Sequence, residues 1–275
     1  MISVVQLGTV DYSTGLRLQQ QLLALRKEEK IGDVLLLLEH SPVITLGRNA
    51  KAANVVASPE LLKKRGVELF ECDRGGDVTF HGPGQIVGYP IFDLRGFARS
   101  SSSLSSRASR SESDGESRDL GFGVGKHLGV VEFVRRLEEA LMRTCADFSI
   151  ATKRVPGLTG VWTDLPTLSS LQSRNLGLQK RPEAKLAAIG VHVSRFVTSH
   201  GFALNVNTDL SYFDLIIPCG ITSKPVTSMQ RELGHKLDLN AVAESISRNF
   251  GVVFGSHVLW VASLDALMAH AVSLL

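Results

Sequence analysis

The segment from Val34 to Leu38 is an uninterrupted apolar run, and its five residues match the length of a buried β-strand. No segment carries the roughly 18 consecutive apolar residues that a transmembrane helix needs, so we expect no membrane span. Strand-like segments alternate with helix-like ones along the sequence. This alternation predicts a single-domain α/β (α+β) protein in which helices pack on a mixed β-sheet.

The spacing of apolar residues locates the other elements. Ser13 or Thr14 is expected to begin the first helix. Ser58 and Pro59 have the residue types that begin a helix, and Gly66 is expected to end it. The remaining expected strands are Ile2 to Leu7, Val67 to Cys72, Ile86 to Leu94, Leu186 to Val193 and Phe202 to Val206. The remaining expected helices are a long one over residues 131–148, a short one over 227–233, and one marked by Val242, Ile246 and Phe250 that Gly251 ends.

Two irregular segments interrupt this pattern. Residues 99–118 are dominated by serine with scattered charge, a composition that cannot bury enough apolar surface to offset its ordering entropy. Residues 165–181 mix Ser, Leu, Asn, Gln and Gly without periodicity. Both are interpreted as inserted loops of one catalytic domain over residues 1–250. Residues 251–275 are expected to form a helical C-terminal extension.

Composition excludes several classes of protein. The chain of 275 residues is 44% hydrophobic, which excludes disorder of the whole chain, and its net charge of +3 is too small to favour nucleic-acid binding. Three cysteines cannot form a disulfide framework, and no spacing typical of a zinc site occurs, so no metal is expected. The first residues lack the features of a secretory or transit peptide. We therefore expect a cytoplasmic enzyme, with a mitochondrial location as the alternative for a eukaryotic source.

A glycine-rich polar segment, Asp73 to Gln85, lies between two predicted strands. Glycines permit close approach of the backbone to a ligand, and polar side chains among them can hold one. The alternative is a tight connection whose polar groups satisfy its own backbone. The spacing matches neither a P-loop nor a dinucleotide fingerprint.

Three single residues carry chemistry in the second half of the chain. Lys185 opens an apolar strand, where it is either exposed or aimed into a pocket in which its cation favours a neighbouring anion. His200 precedes Gly201 and is either structural or catalytic. Cys219 stands between Pro218 and Gly220 at a strand end, a position suited to a nucleophile. Cys145, by contrast, fits a helix core, and the role of Cys72 stays open.

Together these segments resemble the lipoyl(octanoyl) transferase family. The resemblance rests on an ordered set of motifs: EHSPVITLGR, RGGDVTFHGPGQIVGYPIFDLR, GVW at residues 160–162, KLAAIGVHVSR, TSHGFALNVN and YFDLIIPCGI followed by VTSMQREL. It implies the fold of the biotin and lipoate protein ligase catalytic domains. It also implies octanoyl transfer from acyl carrier protein to a lysine of a lipoyl domain, on 2-oxoacid dehydrogenase E2 subunits and the glycine cleavage H protein, without ATP or any other cofactor.

The same resemblance assigns roles to residues. Cys219 corresponds to the acyl-accepting nucleophile, and Lys185 to the lysine that lowers its pKa and transfers protons. Substrate contacts fall on three segments: Arg74, Gly75, Gly76, Asp77, Val78, Thr79, Phe80 and His81; Ala188, Ile189 and Gly190; and Gly201, Phe202 and Ala203.

Four other functions are weighed against transfer. An ATP-dependent lipoate or octanoate ligase and an amidotransferase between lipoyl proteins share the fold. A non-catalytic acyl-binding protein would not need Cys219. A thioester hydrolase would use His81 or His200 as its base. Retention of both Cys219 and Lys185 favours the transferase.

Overall fold

The computed structural model describes residues 1–97, 127–164, 183–218 and 224–272, with side chains as far as residue 269. Both predicted insertions, residues 99–118 and 165–181, lie outside the described residues. The same is true of residues 219–223, which include Cys219.

The described elements include the helices and strands that the sequence predicts, together with five strands that it does not predict, at residues 43–46, 78–81, 153–155, 158–164 and 258–260. In chain order they are β1 (Ile2–Val10), α1 (Tyr12–Lys27), β2 (Asp33–His40), β3 (Val43–Leu46), α2 (Pro59–Lys64), β4 (Glu68–Glu71), β5 (Val78–His81), β6 (Gln85–Ile91), α3 (Val130–Asp147), β7 (Lys153–Val155), β8 (Leu158–Asp164), β9 (Glu183–Ser194), β10 (Val197–Asn205), α4 (Met229–Leu233), α5 (Leu239–Phe254), β11 (Val258–Trp260) and α6 (Leu264–Val272). None of the helices in these ranges is long and apolar enough to cross a membrane.

The strands form a large mixed sheet and a small one. The large sheet has the order β11-β1-β2-β6-β10-β9-β8-β7, in which β11, β1 and β2 are parallel and the other neighbours antiparallel. The small sheet has the order β4-β3-β5. The predicted mixed sheet with packed helices is thereby confirmed.

The apolar run in β2 is buried on both faces of the large sheet. Successive side chains of a strand point to opposite faces. Leu35 and Leu37 therefore pack with α3 and α5 in one apolar cluster, while Val34, Leu36 and Leu38 pack with α1 and α6 in a second. Covering both faces with helices is what allows a continuous apolar strand.

The small sheet has an apolar cluster of its own. Val78 and Phe80 of β5 pack there with Ile44 of β3 and with the segment around Phe213. The ring of Phe80 stacks on that of Tyr212 with a centroid distance of 4.7 Å. This packing fixes β5 against the rest of the molecule, and the other side chains of β5 face the opposite way.

Several predicted boundaries need correction. The first helix is capped by Asp11, whose carboxylate accepts from the N–H of Thr14, and not by Ser13 or Thr14. Helix α5 continues through Gly251 and ends at Gly255, which adopts the left-handed conformation with φ of 61°. The prediction for α2 is confirmed, with Ser58 as its cap and Pro59 in its first turn.

Candidate active site

A cavity of about 550 Å³ opens between the large sheet and the small one. Its walls come from the glycine-rich segment, from β5 and β6, and from the paired strands β9 and β10. The apolar part includes Val87, Ala188 and Ala203, which are neighbours across three adjacent strands. A cavity with this lining can hold an extended apolar chain.

Asp77 holds the glycine-rich segment in place. One carboxylate oxygen accepts from the backbone N–H of Val78 at 2.8 Å and of Lys51 at 3.2 Å, and the other accepts from the amide of Asn54 at 2.6 Å. The next connection comes from Gly75, whose N–H donates to the carbonyl of Val191 in β9 at 3.2 Å. The segment is thus tied to the strand that forms the opposite wall.

A chain of buried hydrogen bonds runs from the cavity into the interior. Arg74 donates through Nη2 to Oγ1 of Thr45 at 2.9 Å, and that hydroxyl lies 3.4 Å from Nε2 of His81. Nδ1–H of His81 donates to Oε1 of Gln85 at 2.7 Å. The amide nitrogen of Gln85 then donates to Oδ1 of Asn205 at 2.8 Å. Each buried polar group in this series of hydrogen bonds therefore has a partner, which offsets the cost of taking it out of water.

Burial keeps two histidine side chains near the cavity, His81 and His40, neutral. Burial, with the nearby His40 and Arg74 charges, lowers the pKa of His81 to about 3. Burial also lowers the pKa of His40 to about 4. Since Nδ1 of His40 donates to the carbonyl of Val10, its Nε2 accepts from the hydroxyl of Tyr89, whose pKa is raised by burial. Both imidazoles are therefore uncharged at neutral pH.

This series of buried hydrogen bonds ends at the backbone of Lys185. The amide of Asn205 donates to the carbonyl of Thr227 at 3.0 Å, and the N–H of Thr227 donates to the carbonyl of Lys185 at 2.9 Å. The N–H of Lys185 donates in turn to the carbonyl of Pro225 at 2.9 Å. The segment that follows residues 219–223 is thus paired directly with the strand position of Lys185.

Lys185 is buried, and its side chain lines the cavity. Its ammonium nitrogen lies 4.8 Å from the ring centroid of Trp162 in the neighbouring strand β8. Of the two environments that the sequence left open for Lys185, the structure has the pocket and not the exposed strand end.

His200 also lines the cavity, on β10. Its Nε2–H donates to the carboxylate of Asp73 at 2.7 Å, and burial lowers its pKa. This hydrogen bond joins β10 to Asp73, the first residue of the glycine-rich segment.

Most of the predicted site residues meet at this one cavity. Those that line it are Arg74, Gly75, Gly76, Asp77, Thr79, His81, Lys185, Ala188, Ile189, Gly190, Gly201, Phe202 and Ala203. Val78 and Phe80 are not among them, because they alternate with Thr79 and His81 along β5 and point into the small-sheet cluster. Cys219 lies outside the described residues, so its role stays a prediction.

A model of the lipoyl protein ligase A/B catalytic domain matches residues 11–107 and 124–251. The chain belongs to this family. A curated relative of this catalytic domain, the octanoyltransferase of Koribacter versatilis (strain Ellin345), is 56% identical over 268 residues, covering 98% of the present chain and 90% of its own. The octanoyltransferase of Acidobacterium capsulatum is 49% identical over 276 aligned positions, covering 100% and 98%. The resemblance found in the motifs is confirmed.

Solved structures of lipoate protein ligases share the fold at low identity. The bi-partite lipoate protein ligase of Thermoplasma acidophilum superposes with a TM-score of 0.63 at 14% identity, covering 100% of this chain and 92% of its own. A lipoate-protein ligase A bound with ATP gives 0.62 at 14% identity, covering 100% and 94%. The lipoate-ligase fold that the sequence predicted is therefore confirmed.

Sequence reasoning missed several residues around the cavity of this catalytic domain. Tyr12 and Tyr89 line it from α1 and β6, and Thr45 joins Arg74 to His81. These side chains are far apart in sequence, and nothing in their spacing points to a shared site. Thr45, Gln85, Tyr89 and Trp162 do stand inside the motifs that carry the family resemblance, and this was the one signal that could have found them.

Proposed function

We propose that this protein transfers an octanoyl group from octanoyl-acyl carrier protein, through a thioester on Cys219, to the target lysine of a lipoyl domain. The observation that carries the proposal is the position of Lys185. Its buried side chain lines the same cavity as the small apolar residues of β9 and β10. A cation beside an apolar acyl cavity suits a reaction whose nucleophile is an anion. We infer the octanoyl group and the transfer reaction from the octanoyltransferase relatives.

The first step is attack of the Cys219 thiolate on the thioester carbonyl of the carrier. The new bond joins the Cys219 sulfur to the acyl carbon and the carrier's carbon–sulfur bond breaks. The leaving carrier takes a proton from the Lys185 ammonium and departs as a thiol, which leaves Lys185 neutral. An unperturbed cysteine is mostly protonated at neutral pH, since its pKa is about 8.5, and the Lys185 cation favours the thiolate. Exchange of one thioester for another is nearly balanced in energy.

In the second step the amine of the lipoyl-domain lysine attacks the acyl-enzyme. An amide bond forms, the Cys219–acyl bond breaks to return the thiolate, and the neutral Lys185 takes up the amine proton directly or through a relay, which restores its cation. Amide formation from a thioester is downhill, so the reaction needs neither ATP nor another cofactor.

The proposed partners follow from this chemistry. The donor is octanoyl-acyl carrier protein, and the acceptors are the lipoyl domains of 2-oxoacid dehydrogenase E2 subunits and the glycine cleavage H protein. We place the reaction in the cytoplasm, where the three cysteines would stay reduced. The acyl tail would lie along the row of Val87, Ala188 and Ala203, at about 0.8 kcal/mol for each buried methylene.

The test is intact-protein mass spectrometry after incubation with octanoyl-acyl carrier protein. We expect one octanoyl adduct on the wild type, and discharge of that adduct when an apo lipoyl domain is added. Cys219→Ser should give no thioester, whereas the control Cys72→Ser should load normally. A full adduct on Cys219→Ser would contradict the proposal.

A second set of incubations distinguishes octanoyl transfer from the ligase, hydrolase and amidotransferase activities. Octanoylation of the lipoyl domain from free octanoate, only when ATP is present, would favour the ligase. Release of free octanoate without any acceptor would favour a hydrolase. Transfer from an acylated H protein, but not from the carrier, would favour the amidotransferase.

A further inference from the structure

Trp162 is one of the largest fully buried side chains among the described residues. Its side chain is 1% exposed, yet it belongs to none of the three apolar clusters formed by the described residues. Its indole N–H finds no hydrogen-bond acceptor within the described part of the chain. Burying a large aromatic ring with an unsatisfied donor has a cost, so the ring must contact something that offsets it.

Two cations lie over the indole ring. The ammonium nitrogen of Lys185 lies 4.8 Å from the ring centroid, and that of Lys224 lies 5.9 Å away. Both distances fall within the roughly 6 Å at which a cation is attracted to an aromatic face, and tryptophan is the aromatic residue that attracts cations best. In the sheet, Trp162 stands directly opposite Lys185 on β9 and opposite Lys153 on β7.

Lys224 and Lys153 form ion pairs with carboxylates. Lys224 donates to the carboxylate of Glu183, and Lys153 lies 3.0 Å from Glu183 and 2.6 Å from Asp164. These ion pairs hold the charges of Lys224 and Lys153 next to carboxylates. Lys185 is the lysine of the three that also lines the cavity, and its ammonium is the nearer of the two cations to the ring.

The register of β8 is built to place Trp162 there. The pairing of β8 with β9 shifts between Val161, which faces Ala187, and Trp162, which faces Lys185. Just before this shift, the N–H of Gly160 donates to the buried carboxylate of Glu138 at 3.1 Å. A β-carbon on Gly160 would lie 2.5 Å from the carbonyl oxygen of Ala187, so only glycine fits.

We propose that Trp162 is a positioning residue for Lys185, and that its indole face holds the ammonium group beside the acyl cavity. The inference rests on the proposed Cys219/Lys185 pair and deepens it. It also gives the GVW motif a physical role. Gly160 permits the close pairing of β8 with β9, Val161 packs in the apolar core, and the indole of Trp162 contacts the ammonium group of Lys185.

The first test measures the alkylation rate of Cys219 at neutral pH, in a Cys72→Ser background that removes a competing thiol. We expect Lys185→Met and Trp162→Leu each to slow alkylation, the latter by about tenfold, while Trp162→Phe, which keeps an aromatic face, retains most of the rate. In the double variant, Trp162→Leu should add nothing to Lys185→Met. A further loss there would mean a general structural effect and would overturn the inference.

The outcomes separate this inference from the proposed function. A wild-type rate in Lys185→Met would overturn the Cys219/Lys185 pair and the inference with it. A slow Lys185→Met together with a wild-type rate in Trp162→Leu would overturn the role of Trp162 alone.

A second measurement leaves Trp162 in place and so does not depend on the folding of its variants. The chain has two tryptophans, and Trp260→Phe makes Trp162 the sole indole fluorophore. We expect Lys185→Met to shift the emission of Trp162, and the control Lys224→Met, at the more distant cation, to shift it less. Unchanged emission in Lys185→Met would overturn the inference.

Discussion

The α-carbon of Gly190 faces the carbonyl oxygen of Gly75 so closely that a β-carbon on Gly190 would lie 2.5 Å from that oxygen. Strand β9 and the glycine-rich segment can approach each other this far only because neither residue has a side chain. The same contact includes the hydrogen bond from Gly75 to the carbonyl of Val191. The geometry of the cavity wall therefore depends on a backbone-to-backbone contact.

Gly190→Ala is expected to push the glycine-rich segment away from β9 and to slow octanoyl loading of the enzyme by at least about tenfold, since small displacements of positioning groups have large effects on rate. The measurement is the rate of adduct formation by mass spectrometry. Gly32→Ala is the matched control, because a β-carbon there meets nothing within 4 Å. Equal loading by both variants would contradict the argument.

Ala203→Leu tests whether the row of Val87, Ala203 and Ala188 holds the acyl tail. Three added carbons on Ala203 would occupy space that the tail needs, and each methylene excluded costs about 0.8 kcal/mol. With three methylenes excluded, we expect loading with octanoyl to fall roughly sixtyfold while loading with butanoyl changes little. The ratio of the two rates is the measurement, and a ratio like that of the wild type would place the tail elsewhere.

Glu138→Ala tests the anchor of the β8 register. The fully buried carboxylate accepts from Arg135 at 2.6 Å, from Arg154 at 3.0 Å and from the N–H of Gly160. Both arginines are partly exposed and can rehydrate, so we expect a loss of about 2 kcal/mol in the free energy of unfolding by urea. The neighbouring Glu139 forms more exposed ion pairs, and Glu139→Ala should cost less than about 1 kcal/mol.

The buried histidines predict how stability depends on pH. In the folded protein the pKa of His81 is lowered to about 3 and that of His40 to about 4, whereas an unfolded histidine titrates near 6.5. Between these values the unfolded chain binds more protons, so stability falls as the pH drops from about 6.5 towards 4. The slope is at most about 1.4 kcal/mol per pH unit for each histidine. Asp33, whose pKa is raised by burial, acts in the opposite sense.

Urea unfolding at several pH values between 7 and 5 gives the measurement. We expect His81→Gln to flatten the dependence, because one differential proton is lost, while His235→Gln on the surface leaves it unchanged. An unaltered slope in His81→Gln would show that His81 binds protons equally in the folded and the unfolded protein, which would contradict its lowered pKa.

Local patterns in the sequence predicted many of the elements because those elements follow local rules. The apolar run from Val34 to Leu38 is β2, and Ser58 with Pro59 begins α2. Apolar spacing along α3 is periodic because one side of that helix packs on the sheet.

Strands β9 and β10 were also predicted, but the tight turn that joins them was not. Strands β9 and β10 form a hairpin through Arg195 and Phe196, which adopt φ of 52° and 67°. Tight hairpin turns of this conformation usually contain Asn-Gly or Asp-Gly, so an Arg-Phe pair gives no turn signal. Tertiary pairing of two long strands imposes the turn.

The sequence by itself determined the family, through ordered motifs, and the fold class, through the alternation of apolar segments. It also selected Lys185, Cys219 and the three segments of substrate contacts. The tertiary structure decided which of those side chains share a cavity. Strand alternation turns Val78 and Phe80 away from it, and a register shift places Trp162 opposite Lys185. Both outcomes depend on pairing and packing between residues distant in sequence, and no local pattern encodes such distances.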